Sequence, residues 1–116
     1  MFRRWVLPTM EYEAGFMDHV MLHWDGPGAL KHFNDIMGLK KLYLISYVPS
    51  PGEEHRDYIE LYQRIQDAGK AVSVCGTTEQ LKELLCALDP AKTVFSHLSA
   101  GQEDTEGLIS WMKGRM

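Results

Sequence analysis

The sequence predicts an α/β domain with a mostly parallel sheet, because apolar strands alternate with amphipathic helices. Residues 41–48 and 70–75 are strongly apolar, and each segment runs directly into a helical pattern. Strands of this kind are typical of a sheet buried by helices, with strand-to-helix turns at its functional edge. The first such turn is Pro49 to Gly52, which contains one serine.

Length and charge limit the classes of function. A chain of 116 residues suits one domain, so residues 1–116 are taken as a single unit. Twelve Lys and Arg against sixteen Asp and Glu give a formal net charge of -4, and no dense basic run is present. Binding to nucleic acid or to an anionic membrane surface is therefore disfavoured.

Cysteine usage and hydropathy predict a cytoplasmic protein. Cys75 and Cys86 fall in apolar segments and are expected to be reduced core residues, with a disulfide as the alternative. The start of the chain lacks an apolar stretch of signal-peptide length. The longest apolar run, residues 42–48, is far shorter than the ~20 residues that span a bilayer, so no membrane insertion is expected.

The first part of the chain is predicted to form a hairpin and a short helix. Residues 5–12 carry β-type side chains interrupted by Pro8, which indicates an edge strand. Residues 19–24 are interpreted as its antiparallel partner. A helix over residues 27–37 follows, with an apolar stripe of Leu30, Phe33 and Met37.

The remaining elements repeat one pattern. A helix reaches Ala68 and is stopped by Gly69; a third helix opens at Thr77, which has capping-box spacing to Gln80. A last strand over residues 93–98 precedes a final helix whose inward side chains are Leu108, Trp111 and Met112. The predicted order is β-β-α-β-α-β-α-β-α, with an antiparallel N-terminal edge strand.

Five segments in this order resemble the STAS domain of anti-sigma-factor antagonists and sulfate-transporter tails. The similar segments are residues 40–45 (KKLYLI), 61–65 (LYQRI), 68–76 (AGKAVSVCG), 80–85 (QLKELL) and 88–95 (LDPAKTVF). The resemblance is strongest from Lys40 onward. It implies a STAS-like fold with helices packed on the sheet.

The resemblance also implies a phosphorylatable residue in the first strand-to-helix loop. Ser50 matches the acceptor serine and Gly52 the glycine of an Asp-Ser-x-Gly-like motif, while Pro49 stands where the family has aspartate. A phosphate there would be repelled by Glu53 and Glu54. Two interpretations of Ser50 stay open: a phosphoacceptor, or a turn residue chosen for hydrogen bonding.

A non-enzymatic regulatory module is the function that the resemblance implies. Its partner would be a protein such as an anti-sigma kinase or a similar regulator, and a homodimer is left open. The alternative is a small-molecule or lipid-linked ligand-binding domain of the same fold. The expected partner-binding surface consists of Pro49, Ser50, Pro51, Gly52, Glu53, Tyr58 and Tyr62.

No catalytic residue, metal ligand or cofactor is predicted. His19 and His23 would lie roughly 13 Å apart on one strand, too far for one ion. Cys75 ends a strand, but position 81 is Leu where a phosphatase-like loop needs arginine, and no histidine or aspartate partner is close in sequence. Cys75 is therefore interpreted as a core residue.

Overall fold

The computed structural model describes residues 2–25 and 27–115, without the side chains of residues 27–29. Within these ranges five α-helices alternate with four strands: α1 Leu7–Ala14, β1 Val20–Asp25, α2 Phe33–Met37, β2 Leu42–Val48, α3 Ile59–Asp67, β3 Ala71–Gly76, α4 Thr78–Ala87, β4 Thr93–His97 and α5 Gln102–Lys113. A π-helical turn, Phe2–Val6, leads into α1. Short 3-10 turns at Pro27–His32, His55–Tyr58 and Pro90–Lys92 precede α2, α3 and β4.

The four strands form one parallel sheet in the order β1-β2-β3-β4. The α/β class and the parallel sheet are thus as predicted. Each crossover joins neighbouring strands, and crossovers between parallel strands are right-handed, so α2, α3 and α4 are placed on the same face.

The predicted edge strand over residues 5–12 is wrong, and so is the antiparallel hairpin. Residues 7–14 form α1, and β1 pairs with β2 in parallel. Pro8 lies in the first turn of α1, where a missing N–H costs nothing because that N–H has no helical partner. Leu7, Met10 and Ala14 have helical spacing, and they pack against the body of the protein.

Only one face of the sheet is fully buried. Ile45, Tyr47, Val72 and Val74 point to the helices and are buried, as are Trp24 on β1 and Leu61, Tyr62, Ile65, Leu81, Leu84 and Leu108 on the helices. The alternate residues of the strands point the other way. We call this second side the open face: Met21, His23, Ser46, Ser73, Cys75, Val94 and Ser96, all exposed or half-buried. The prediction of a sheet buried by helices therefore holds for one face only.

The helices that cover the sheet follow the predicted patterns. Helix α4 begins at the Thr77 cap with the capping box to Gln80 in place. Gly69 ends the turn after α3 with a φ of 88°, a conformation that glycine adopts without strain. On α5, Leu108 is buried and Trp111 packs against the core, as predicted.

Two buried polar side chains bind the layers together. Gln66 on α3 hydrogen-bonds the connection between α4 and β4. Lys70 donates to the carbonyl oxygens of Leu39 at 2.8 Å and Leu42 at 2.5 Å, and its burial lowers its pKa.

No helix in the described ranges has the length and apolar character that crossing a membrane requires.

Candidate functional site

An open cleft of about 590 Å³ lies at the carboxyl ends of the strands, on the open face. Each strand contributes one short polar side chain to it: His23 from β1, Ser46 from β2, Ser73 from β3 and Ser96 from β4. The parallel registers place polar side chains side by side in two pairs, His23 with Ser46 and Cys75 with Ser96. The carboxyl edge of a parallel sheet is where α/β domains bind ligands.

The loop from Pro49 to Glu54 forms one wall of this cleft. Its turn is closed by a hydrogen bond from the Glu53 N–H to the Ser50 carbonyl oxygen at 2.9 Å. Pro51 and Gly52 occupy the central positions, and the φ of 86° at Gly52 fits a type II turn. Pro49, Glu53 and Glu54 line the cleft, and Ser50 is half-buried at the first position of the turn.

The expected partner-binding surface is only partly brought together. Pro51, Gly52 and Glu53 are exposed, and Tyr58 is half-buried with its hydroxyl donating to the Glu53 carboxylate. That hydrogen bond raises the pKa of Tyr58. Tyr62 is fully buried beneath the sheet, so its assignment to a docking surface is wrong. The i, i+4 spacing of the two tyrosines shows that they share a helix side without showing which one is covered.

Cys75, His55 and Tyr62 form a hydrogen-bonded series at the base of the loop. The Cys75 Sγ lies 3.6 Å from His55 Nε2, and His55 Nδ1 lies 2.5 Å from the Tyr62 hydroxyl. Burial lowers the pKa of His55, so the imidazole is neutral near pH 7. Burial also raises the pKa of Tyr62, which keeps its phenolic proton.

The assignment of both cysteines to the core is wrong, because Cys75 and Cys86 are exposed. In β3 the side chains alternate, so Val72 and Val74 enter the core while Ser73 and Cys75 face outward. That alternation was visible in the sequence. The approach of His55 was not, because it comes from a separate 3-10 turn.

The cleft is acidic. Glu53 and Glu54 line it, and none of the residues that line it in the described chain is Lys or Arg. Arg56 lies close to the rim, but its Nε pairs with Glu54 at 2.5 Å and its guanidinium reaches Glu83 at 3.7 Å. Glu54 is therefore largely neutralised, and Glu53 leaves a net negative charge at the mouth.

A second polar cluster joins α4, β4 and α5 at the same end of the sheet. The Thr78 hydroxyl lies 2.9 Å from His97 Nε2 and donates to Asp104 at 2.5 Å. The backbone N–H of Ala100 also donates to Asp104 and lowers its pKa, followed in effect by the Thr78 hydrogen bond. These contacts satisfy one another, so the cluster holds the ends of three elements together.

In the described chain, no group of three or more His, Cys, Asp and Glu side chains is arranged to hold a metal ion. A comparison of the sequence and fold with models of protein families, with curated proteins and with solved structures found no match.

Proposed function

We propose that this chain is a regulatory protein-binding module of the STAS type. One observation carries the proposal: the Pro49–Glu53 loop and the open face form a continuous surface at the carboxyl edge of the sheet. The five sequence segments that resemble STAS domains lie on β2, α3, β3, α4 and β4, the part of the fold that supports this surface. The resemblance does not extend to α1, which replaces the expected edge strand.

Exposed apolar side chains give this surface the character of a docking site. Met21 and Val94 on the open face are 57% and 49% exposed, and Leu98 beside the cleft is 61% exposed. Apolar side chains within a polar rim are typical of protein interfaces. We propose a cytoplasmic protein partner, of the anti-sigma kinase class or a similar regulator.

Ser50 fits this proposal better as a turn residue than as a switch. Its carbonyl oxygen closes the turn, and Glu53 and Glu54 are the nearest charged residues in the loop. A phosphate there would be repelled by Glu53, whereas a phosphoacceptor is favoured beside basic groups. Incubation with ATP and a candidate kinase, followed by intact-mass measurement, tests this. A phosphate that disappears in Ser50→Ala would overturn our assignment.

Docking is tested by a charge substitution on the open face, Val94→Glu, and by a truncation next to the loop, Tyr58→Ala. A candidate regulator is titrated against immobilised protein carrying Val94→Glu or Tyr58→Ala, with Ile109→Glu as the control. Ile109 is comparably exposed, at 46%, but lies on α5 away from the proposed surface. We expect affinity to fall at least tenfold for Val94→Glu, since a buried unpaired charge is costly at an interface. Equal effects of the two glutamates would contradict the proposed surface.

The cleft favours one alternative, a small-molecule-binding domain. Its volume of about 590 Å³ is within the range of ligand sites. A ligand at 100 times its Kd would stabilise the fold by about 2.7 kcal/mol, a shift of several degrees in a thermal-shift screen. The shift should vanish in Ser73→Phe, which fills the cleft, and persist in Ser110→Phe on α5. A shift that survives Ser73→Phe would place the ligand elsewhere.

A further inference from the structure

We propose that Cys75 is a thiol-modification site, activated by His55, that exchanges with small disulfides bearing no negative charge. Three features of the cleft carry this proposal: a hydrogen-bonded imidazole beside the thiol, space for an adduct, and an acidic mouth. It does not depend on the identity of a docking partner.

The position of Tyr62 determines which imidazole nitrogen faces the thiol. Tyr62 is fully buried, and its phenol keeps its proton because burial raises its pKa. Among the described residues, its hydroxyl has His55 Nδ1 as its hydrogen-bond partner, at 2.5 Å. The phenol therefore donates to Nδ1, and we assign the imidazole proton to Nε2.

This tautomer makes His55 a donor to Cys75. The Nε2–H lies 3.6 Å from the Cys75 Sγ, within reach of a hydrogen bond to sulfur. Such a bond is stronger to a thiolate than to a thiol, because the acceptor is then ionised. His55 therefore places a hydrogen-bond donor beside the sulfur that attacks the reagent.

The surroundings of the thiol allow an adduct to form. Cys75 is exposed, and it lines the cleft together with Ser46, Ser73 and Ser96. These small side chains leave a volume of about 590 Å³ next to the sulfur. A disulfide-linked group of several heavy atoms fits there without displacing the core.

The charge of the cleft selects the reagent. Glu53 carries the unneutralised charge at its mouth, and the chain as a whole has a net charge of -4. An anionic disulfide is repelled, whereas a neutral or ammonium-bearing disulfide is not. A single charge a few ångströms away in water changes the local concentration of a charged reagent about fivefold.

The proposed reaction is a thiol–disulfide exchange. Cys75 loses its proton to water, and its thiolate attacks one sulfur of the small disulfide. A bond forms between the Cys75 Sγ and that sulfur, while the original S–S bond breaks. The leaving thiolate takes up a proton from solvent. Cys75 is thereby oxidised, the released half of the reagent is reduced to a thiol, and excess thiol reverses the step.

Cys86 provides an internal control, because it is also exposed and free. It lies in the last turn of α4, at the other end of that helix from the cleft. In the described chain its Sγ makes no hydrogen bond, in contrast to Cys75 with His55. Any rate difference between the two thiols in one sample therefore reports their local surroundings.

The test is competitive labelling of the full chain. Limiting 2-hydroxyethyl disulfide, which is neutral, is added near pH 7, and modified peptides are quantified by mass spectrometry. We expect Cys75 to react about tenfold faster than Cys86. Equal rates in the wild-type protein would refute the proposal. Reduction with dithiothreitol should restore the original mass.

Variants separate activation by His55 from simple exposure. Both His55→Ala and Tyr62→Phe should bring the rate at Cys75 to within about threefold of Cys86. Circular dichroism confirms that each variant is folded, and His19→Ala is a control that removes an exposed histidine that does not line the cleft. If the folded His55→Ala protein keeps the wild-type rate ratio, His55 does not activate Cys75.

Matched cationic and anionic reagents test the effect of the charge at the cleft. The rate at Cys75 is measured with cystamine, a dication, and with dithiodipropionate, a dianion. Each rate is divided by the rate at Cys86 with the same reagent. We expect the ratio to favour cystamine by at least about fivefold at low salt, and to shrink in Glu53→Gln. A preference for the dianion would overturn the proposed reagent class.

Discussion

Gln66 is expected to be one of the most stabilising polar side chains of this fold. It is 5% exposed, and its amide nitrogen lies 3.2 Å from the Asp89 carbonyl oxygen, 3.1 Å from that of Lys92 and 2.9 Å from the Thr93 hydroxyl oxygen. Its amide oxygen accepts from the Asp89 N–H at 3.0 Å. One side chain on α3 therefore fixes the whole connection that leads into β4.

The expected cost of Gln66→Ala follows from this count of partners. Two N–H donors are shared among three acceptors, and one further bond reaches the amide oxygen, so three bonds are lost. A net contribution of about 1 kcal/mol per bond gives a loss of about 3 kcal/mol in the free energy of unfolding. For a chain of this size, the melting temperature should fall by roughly 10 °C.

Urea unfolding followed by circular dichroism measures this change, with Gln63→Ala as the matched control. Gln63 lies on the same helix and makes one hydrogen bond, to the Ala87 carbonyl oxygen at 3.1 Å, but it is exposed. Its replacement should cost about 0.5 kcal/mol or less. The m-value should remain unchanged, since the same surface is buried in both variants.

An equal loss of stability in the two variants would contradict this prediction. It would mean that the hydrogen bonds of Gln66 contribute no more than those of a solvent-exposed amide. Gln66→Glu adds a second check, because it retains the size of the side chain but replaces the donors with a carboxylate beside two carbonyl oxygens. Its destabilisation should decrease as the pH is lowered and the carboxylate is protonated.

Three further predictions concern single positions. Lys70→Met should lower the free energy of unfolding by about 1–2 kcal/mol, because the hydrogen bonds from its ammonium to two buried carbonyl oxygens are lost. Lys41→Met, at an exposed lysine, should change it by less than about 0.5 kcal/mol. The pKa of His55 is lowered below 6.5 in the folded state, so the unfolded state binds more protons below that pH. Stability should therefore fall from about pH 7 to pH 5, and fall less in His55→Gln; parallel urea titration curves for the two proteins would contradict this. Gly69→Ala should lower the free energy of unfolding by about 1 kcal/mol, because a φ of 88° is strained for alanine even though nothing crowds an added Cβ. Gly69→Asn should lower it by less, since asparagine tolerates this conformation better. Equal thermal stability of all three proteins would show that the conformation is not costly.

Most of the fold beyond Lys40 was predictable because local signals agreed there. Strand β2 has the predicted bounds, and the Thr77 capping box marks the start of α4. The N-terminal helix was missed because Pro8 was interpreted as interrupting a strand, although proline is also common in the first turn of a helix. Local propensity did not decide between a strand and a helix; the packing of Met10 against the core and the burial of Ala14 did.

The candidate site was predictable only in part. The loop at Pro49 was identified from its place after an apolar strand, a position that follows from the fold class. The pairing of Cys75 with His55 depends on how a 3-10 turn crosses over the end of β3, and no local pattern in the sequence encodes that crossing. Tyr62 was assigned to the surface because helical spacing identifies residues on one side of a helix without showing whether that side is buried.

The sequential order of the strands has a consequence for how the chain acquires its structure. Every strand pairs with the strand that precedes or follows it along the chain, so sheet formation requires the closure of one strand-to-strand connection at a time. Such a topology has a lower contact order than a sheet in which distant segments meet. Ordered structure can therefore spread from any adjacent pair of strands to its neighbours, as in repeat proteins, and the segment from β2 to β4 can nucleate without the N-terminal helix.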